Sequence, residues 1–162
     1  MMTDIVIKEV AARDGLQAQP KHLTLEQRQL LVEKLAVTGV PELEIGSFVS
    51  PKAVPQMAGT DVLAANLPSQ AINYSALVPN MRGYESATAC HINTLAIAIA
   101  ATEQMNQNNI RMSLEQTFAM AEEMLIRAQS DGVAIHAYLA VAFECPYEGA
   151  VAPSVILDQV HQ

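Results

Sequence analysis

The stretch Ile5-Val6-Ile7-Lys8-Glu9-Val10-Ala11-Ala12-Arg13-Asp14-Gly15-Leu16-Gln17 decides how the chain reads. Its apolar alternation predicts a strand over Ile5 to Val10. An arginine and an aspartate follow side by side, and Gly15 is expected to turn the chain at once. A cation and a metal-seeking carboxylate at the C-terminal end of a strand stand where α/β enzymes keep their chemistry. Taken alone, the pair also fits an ordinary turn, with Asp14 bonding backbone amides and Arg13 pairing with a helix carboxylate.

Outward from this stretch, strand-like and helix-like periodicities alternate. Thr24 to Thr38 reads as an amphipathic helix that starts on a capping box at Thr24 and Gln27 and ends at Gly39. Glu42 to Ile45 reads as a second strand, followed by the loop Ser47-Phe48-Val49-Ser50-Pro51-Lys52 and a short helix near Asp61 to Leu67. Asn73 to Val78, Thr94 to Ala100 and Val133 to Ala142 are predicted as strands three to five. Met81 to Cys90 and Ser113 to Ser130 are predicted as helices, the latter with Ser113 as N-cap and Gly132 past its end. The segment Glu144 to Gly149 reads as a loop, and a last helix starts at Pro153. Strands that alternate with helices need right-handed parallel crossovers, so the sheet is expected to be parallel and covered by helices. The turn after strand one is not a glycine-rich phosphate loop, which favours an (β/α)8 barrel over a doubly wound nucleotide fold. The fold class is therefore α/β, a partial TIM barrel of about five parallel strands that this chain does not close. Residues 1–162 are expected to form one domain, the N-terminal part of a barrel cut off in the helix after strand five.

Composition narrows the partners. The chain has 162 residues, 51% hydrophobic and 16% charged, which is enough to bury a core. A net charge of -8 and a pI near 4.8 argue against nucleic acid or an anionic membrane as partner, because phosphate repulsion would go uncompensated. Two isolated cysteines, Cys90 and Cys145, make no disulfide framework and fit a reducing cytoplasm. No secretory signal or membrane-spanning run is visible, and a cytoplasmic location is expected.

Candidate chemistry gathers at strand ends. Asp14 can ligate a hard cation through oxygen, and Arg13 can stabilise an enolate or carboxylate charge. Glu44, near the end of strand two, is a second carboxylate aimed at the same end of the sheet, or else a surface partner for a lysine. Asn80, Thr102 with Glu103, and Glu144 with Cys145 and Tyr147 follow strands three, four and five. Ser47, Ser50 and Cys145 have no His and Asp in a recognisable triad order, so a hydrolase is disfavoured.

The segments Glu9 to Gln17, Glu44 to Met57, Val78 to Glu85, Ala101-Thr102-Glu103 with Asn108-Asn109-Ile110, and Cys145-Pro146-Tyr147-Glu148-Gly149 together resemble 3-hydroxy-3-methylglutaryl-CoA lyase, a family of metal-dependent TIM-barrel lyases. The resemblance implies retro-Claisen cleavage of hydroxymethylglutaryl-CoA to acetyl-CoA and acetoacetate, chemistry tied to leucine degradation and ketone bodies. It implies Asp14 as a ligand of Mg2+ or Mn2+, Arg13 and Glu44 as catalytic residues, and Arg13, Gln17, Ser47, Asn80 and Thr102 as substrate-binding residues. The chain departs from the family at Ala11-Ala12, where the family has Gly-Pro, at Ile45-Gly46 and at His136. The family's His-x-His metal ligands, a later asparagine ligand and its catalytic-cysteine loop have no counterpart in these 162 residues, so metal binding is expected to be weakened or lost and the isolated chain inactive. Three other readings stay open: a half-barrel completed by another chain, with copies associating through exposed sheet edges; a non-catalytic acyl-CoA-binding or interaction module; and a related Claisen-type metalloenzyme such as an isopropylmalate synthase.

Overall fold

The computed structural model describes residues 5–162. In chain order the elements are β1 (Lys8–Glu9), α1 (Leu25–Ala36), β2 (Glu42–Ser47), α2 (Thr60–Ala65), β3 (Asn73–Leu77), α3 (Met81–Ala89) and β4 (Thr94–Ala100). They continue with α4 (Glu103–Ile110), α5 (Leu114–Asp131), β5 (Ala134–Ala140), β6 (Glu144–Cys145), β7 (Gly149–Ala150) and α6 (Pro153–Val160). Strands one to five form one sheet in the order β1-β2-β3-β4-β5, with β6 and β7 as a separate antiparallel hairpin. The sheet runs parallel, as the pairings of β1 with β2 and β2 with β3 set out residue by residue. Consecutive parallel strands joined by helices make a partial TIM barrel, in agreement with the sequence.

The chain divides into two compact units, Met1–Leu95 and Ala96–Gln162. In the first, all six residues of β2 are buried, as a strand covered on both faces requires. Leu43 and Ile45 of β2, Val32 and Ala36 of α1, Leu63 of α2, and Tyr84 and Ala87 of α3 make up much of its core. The capping box predicted at the start of α1 is present, with Thr24 accepting from the Gln27 amide. A one-residue irregularity between Glu44 and Gly46 breaks the register of β2 against β3. Gly46 is needed there: a Cβ would lie 2.7 Å from Thr60 Oγ1 and 3.0 Å from Arg28 Nη2, so any side chain would push α1 and α2 off the strand.

In the second unit, α5 buries Thr117, Ala121, Met124 and Ala128, a stripe at helical spacing. The helix starts on a second capping box, Ser113 with Gln116, and stops where Gly132 adopts a left-handed φ of 70°. These boundaries follow from local chemistry and agree with the sequence.

Three expectations are corrected. Strand one is shorter than Ile5 to Val10, because only Lys8 and Glu9 find ladder partners, Glu42 and Leu43; Ile5 is 91% exposed. A helix that the alternation does not predict, α4, follows strand four with Thr102 as its N-cap and Glu103 as its first residue, and the Cys145 to Gly149 segment is not an open loop but folds into the β6–β7 hairpin. No helix of the described residues is long and apolar enough to cross a membrane.

Candidate active site

The chain leaves β1 directly into one widened turn of π-helix, Ala11–Gly15. The amides of Arg13, Asp14 and Gly15 converge on the Val10 carbonyl at 3.1, 2.8 and 3.4 Å, and the Glu9 carboxylate accepts from the Ala11 amide at 2.7 Å. Gly15 is not among the residues with positive φ, so its glycine freedom does not make the turn, contrary to the sequence expectation. Widened turns of this kind occur preferentially at functional sites. Here the turn buries Ala12 and carries Arg13 back toward β2.

Glu44 receives it. Its side chain is fully buried on β2, Oε1 accepts from Arg13 Nε, and Oε2 lies 3.2 Å from the Lys8 ammonium. Lys8 also meets Glu42 Oε1 at 2.8 Å. On the other side, Arg13 Nη1 donates to Asp14 Oδ1 at 2.7 Å. The result is an alternating row, Glu42, Lys8, Glu44, Arg13, Asp14, that steps from a buried strand to the surface: the Glu44 side chain is 0% exposed, Arg13 14% and Asp14 66%. A carboxylate in a strand this deep needs paired cations, and Lys8 and Arg13 supply them. Nη2 of Arg13 has no partner among the described residues and remains free for a ligand oxyanion.

The other residues named from sequence separate into different roles. Gln17 follows the π turn half-buried. Ser47 ends β2 fully buried, with its hydroxyl unpartnered among the described residues. Asn80 caps α3, accepting from the Gly83 amide at 3.0 Å. Ser47 and Asn80 line one cavity of about 430 Å³ with Arg82 and Asp61. The structure thus joins Arg13, Asp14 and Glu44 in one network and Ser47 with Asn80 in one cavity.

Thr102 belongs to the second unit, where its hydroxyl donates to the Cys145 sulfur at 3.0 Å. Glu148 of the same hairpin accepts from the Gln104 amide at 2.8 Å and so caps α4. Burial pushes the Cys145 thiol up, yet the Thr102 hydroxyl and the amides of Tyr147 and Glu148 outweigh it, against the Glu148 charge, and the net direction is down. Removing the strongest donor should therefore raise the titration. Thr102→Val in a Cys90→Ala background is expected to move the thiolate ultraviolet absorbance of Cys145 to higher pH, whereas an unchanged curve would show that the hydroxyl does not stabilise the thiolate.

Two residues of these networks carry no motif in the sequence. Lys8 is one, although its place in the alternating run, opposite Glu42 in the next strand, is the signal that finds it. Asn106 is the other, fully buried inside a helix whose only apolar residues are Met105 and Ile110.

The described residues do not complete a divalent-cation site. Asp14 presents one exposed carboxylate, and no group of three His, Cys, Asp or Glu residues comes together among them. Asp14 alone would offer a single oxygen where a hard cation takes six or more.

Parallel strands wrapped by helices, with an arginine–aspartate pair at the C-terminal end of the first, are the plan of a TIM-barrel enzyme. The comparisons narrow that class. The chain belongs to the HMGL-like family, whose model matches residues 4–162. It is 38% identical to the hydroxymethylglutaryl-CoA lyase of Pseudomonas mevalonii over 96% of this chain and 52% of that protein. It is 37% identical to the (R)-citramalyl-CoA lyase of Chloroflexus aurantiacus over 94% of this chain and 51% of that protein. The crystal structure of the HMG-CoA lyase from Brucella melitensis superposes with a TM-score of 0.93 at 36% identity, covering 96% of this chain and 56% of that one. The chain spans about half the length of the curated relatives it matches.

Proposed function

We propose that the chain carries the arginine half of a carbon–carbon lyase site for tertiary 3-hydroxyacyl-CoA thioesters, with hydroxymethylglutaryl-CoA as the first candidate substrate and the segment 1–162 as the N-terminal part of one barrel domain. The observation that carries this reading is Arg13, held through Nε by a buried carboxylate with Nη2 left open at a strand's C-terminal end. In retro-Claisen cleavage a base takes the tertiary hydroxyl proton, the carbon–carbon bond breaks, and its electron pair flows into the thioester enolate. Arg13 is suited to hold that charge, because a guanidinium fixed through Nε and Nη1 presents Nη2 without reorganising. Glu44, whose side chain is 0% exposed, is the proposed second catalytic residue and is read as acting through Arg13. Gln17, Ser47, Asn80 and Thr102 are proposed substrate contacts by the family pattern. Asp14 is the proposed Mg2+ or Mn2+ ligand; because no group of three His, Cys, Asp or Glu residues comes together among the described residues, no step is assigned to the metal.

Calorimetric titration of the 162-residue chain with hydroxymethylglutaryl-CoA tests the reading. Binding is expected, and Arg13→Met should weaken it about ten- to a hundredfold, the worth of a charge-assisted hydrogen bond. Equal affinity of the two proteins would overturn it. Acetyl-CoA release by this chain with Mg2+ is expected to stay at background, and clear turnover would refute the claim that its donors are insufficient. The similarity to a citramalyl-CoA lyase favours a second reading of the same chemistry, and tighter binding of citramalyl-CoA than of hydroxymethylglutaryl-CoA would select it. A cytoplasmic location and association between copies through the sheet edges are proposed with it; chain mass by light scattering checks the latter.

A further inference from the structure

The row of charges behind Arg13 contains a member that the lyase chemistry does not require. Lys8 sits on β1, paired in the parallel ladder with Glu42 of β2, and its ammonium lies 2.8 Å from Glu42 Oε1 and 3.2 Å from Glu44 Oε2. Its side chain is 16% exposed, so it reaches these carboxylates mostly shielded from water. Glu44 is thus gripped at both ends of its carboxylate, Oε2 by Lys8 and Oε1 by Arg13.

We infer that Lys8 is a positioning residue: by fixing the Oε2 end of Glu44 it sets the plane of that carboxylate and hence the direction in which Arg13 presents Nη2. This rests on the reading of Arg13 as the ligand-binding guanidinium. Three physical points carry it. A carboxylate gripped at one oxygen only keeps its terminal torsion soft, because torsions of that kind have broad minima. A second cation on the other oxygen removes that freedom. The Arg13 fork is planar and rigid, so any swing of Glu44 at Nε is carried to the adjacent Nη2. Glu42 in turn holds Lys8 from the far side, and its removal alone leaves the Lys8–Glu44 contact in place. The order of importance along the row is therefore Glu44, Lys8, Glu42.

Nuclear magnetic resonance on the 162-residue chain reads this without any turnover. The Arg13 Nε proton, hydrogen-bonded to Glu44, is expected to resonate downfield and to exchange slowly with water. Lys8→Met should speed that exchange about tenfold, the loss expected when one charged hydrogen bond in a chain of them is removed. Lys8→Arg should restore it, and Glu42→Gln should leave it within twofold of wild type. A merely structural lysine would change unfolding midpoints without moving this proton. Should Lys8→Met fail to fold, the wild-type protein still decides the matter: the Lys8 ammonium nitrogen is expected to show a scalar coupling across the hydrogen bond to the Glu44 side-chain carboxyl carbon. A coupling to Glu42 alone, or an Arg13 proton untouched by Lys8→Met, overturns the inference. Ligand titration separates the two layers. An Arg13 proton that responds to Lys8→Met while Arg13→Met leaves acyl-CoA affinity unchanged supports the positioning role and removes the function built on Arg13.

Discussion

Glu44→Ala is expected to destabilise the chain by about 3–5 kcal/mol, the cost of breaking a buried ion pair from one side. Glu44 is fully buried in a strand with no exposed residue, and it is shared by two cations whose own side chains are 14% and 16% exposed. Removing it leaves Lys8 beside Glu42 and Arg13 beside Asp14, but it opens a space between two like charges that no longer have a counter-charge there. Water cannot fully repair this, since the Glu44 side chain itself is 0% exposed. Glu44→Gln keeps the volume but turns one accepting oxygen into a donor facing a cation, so most of the loss should remain. Urea unfolding followed by circular dichroism measures both. A loss below about 1 kcal/mol for Glu44→Ala, the range of an exposed pair, would mean that the network is solvated in solution. The double variant Lys8→Met with Glu44→Leu should lose less than the sum of its parts, because the second change removes a buried charge that the first leaves with Arg13 alone.

Asn106→Ala is expected to cost about 3–5 kcal/mol by a different route, through several buried polar groups that each cost about 1–3 kcal/mol when unsatisfied. Asn106 Oδ1 accepts from the Ala100 amide at 3.2 Å at the end of β4. Its Nδ2 reaches the Met112 and Ser113 carbonyls at 2.9 and 3.2 Å and Thr117 Oγ1 at 2.6 Å. One carboxamide thus ties the end of a strand to the start of α5 through a helix with little apolar character of its own. Asn106→Asp retains the acceptor for Ala100 but sets an oxygen against two carbonyls, so it should be as damaging as alanine rather than conservative. Thermal or urea unfolding reads the loss, and hydrogen exchange at the Ala100 amide locates it. Wild-type stability for Asn106→Asp would show that the donor side is idle.

These two residues mark the limit of what the chain discloses before it folds. Glu44 was legible as a strand-end acid within a family pattern, and Arg13 with Asp14 as a pair, because sequence adjacency and strand ends are local facts. Their roles were not: the pair reads equally as a turn, and only the approach of β1 to β2 makes Glu44 the seat of Arg13. Lys8 reads from sequence as one polar residue in an alternating run, since its partners lie 34 and 36 positions away. The helix α4 was missed for a related reason. Glu103–Ile110 has no apolar period, ends on Arg111 at a φ of 59° instead of a glycine, and is held by Asn106 and by Glu148 from the hairpin.

By itself the sequence determined the alternation of the five sheet strands with α1, α2, α3, α5 and α6, the capped starts of α1 and α5, the glycine that ends α5 and the parallel character of the sheet. All of these depend on residues within a few positions of one another or on the alternation of periods along the chain. Tertiary structure alone decided the length of β1, the π turn that delivers Arg13, the hub at Asn106 and the charge row from Glu42 to Asp14. Each of those rests on a hydrogen bond or ion pair that is strong only when its partners are brought out of water together, and a linear sequence does not record which partners those are.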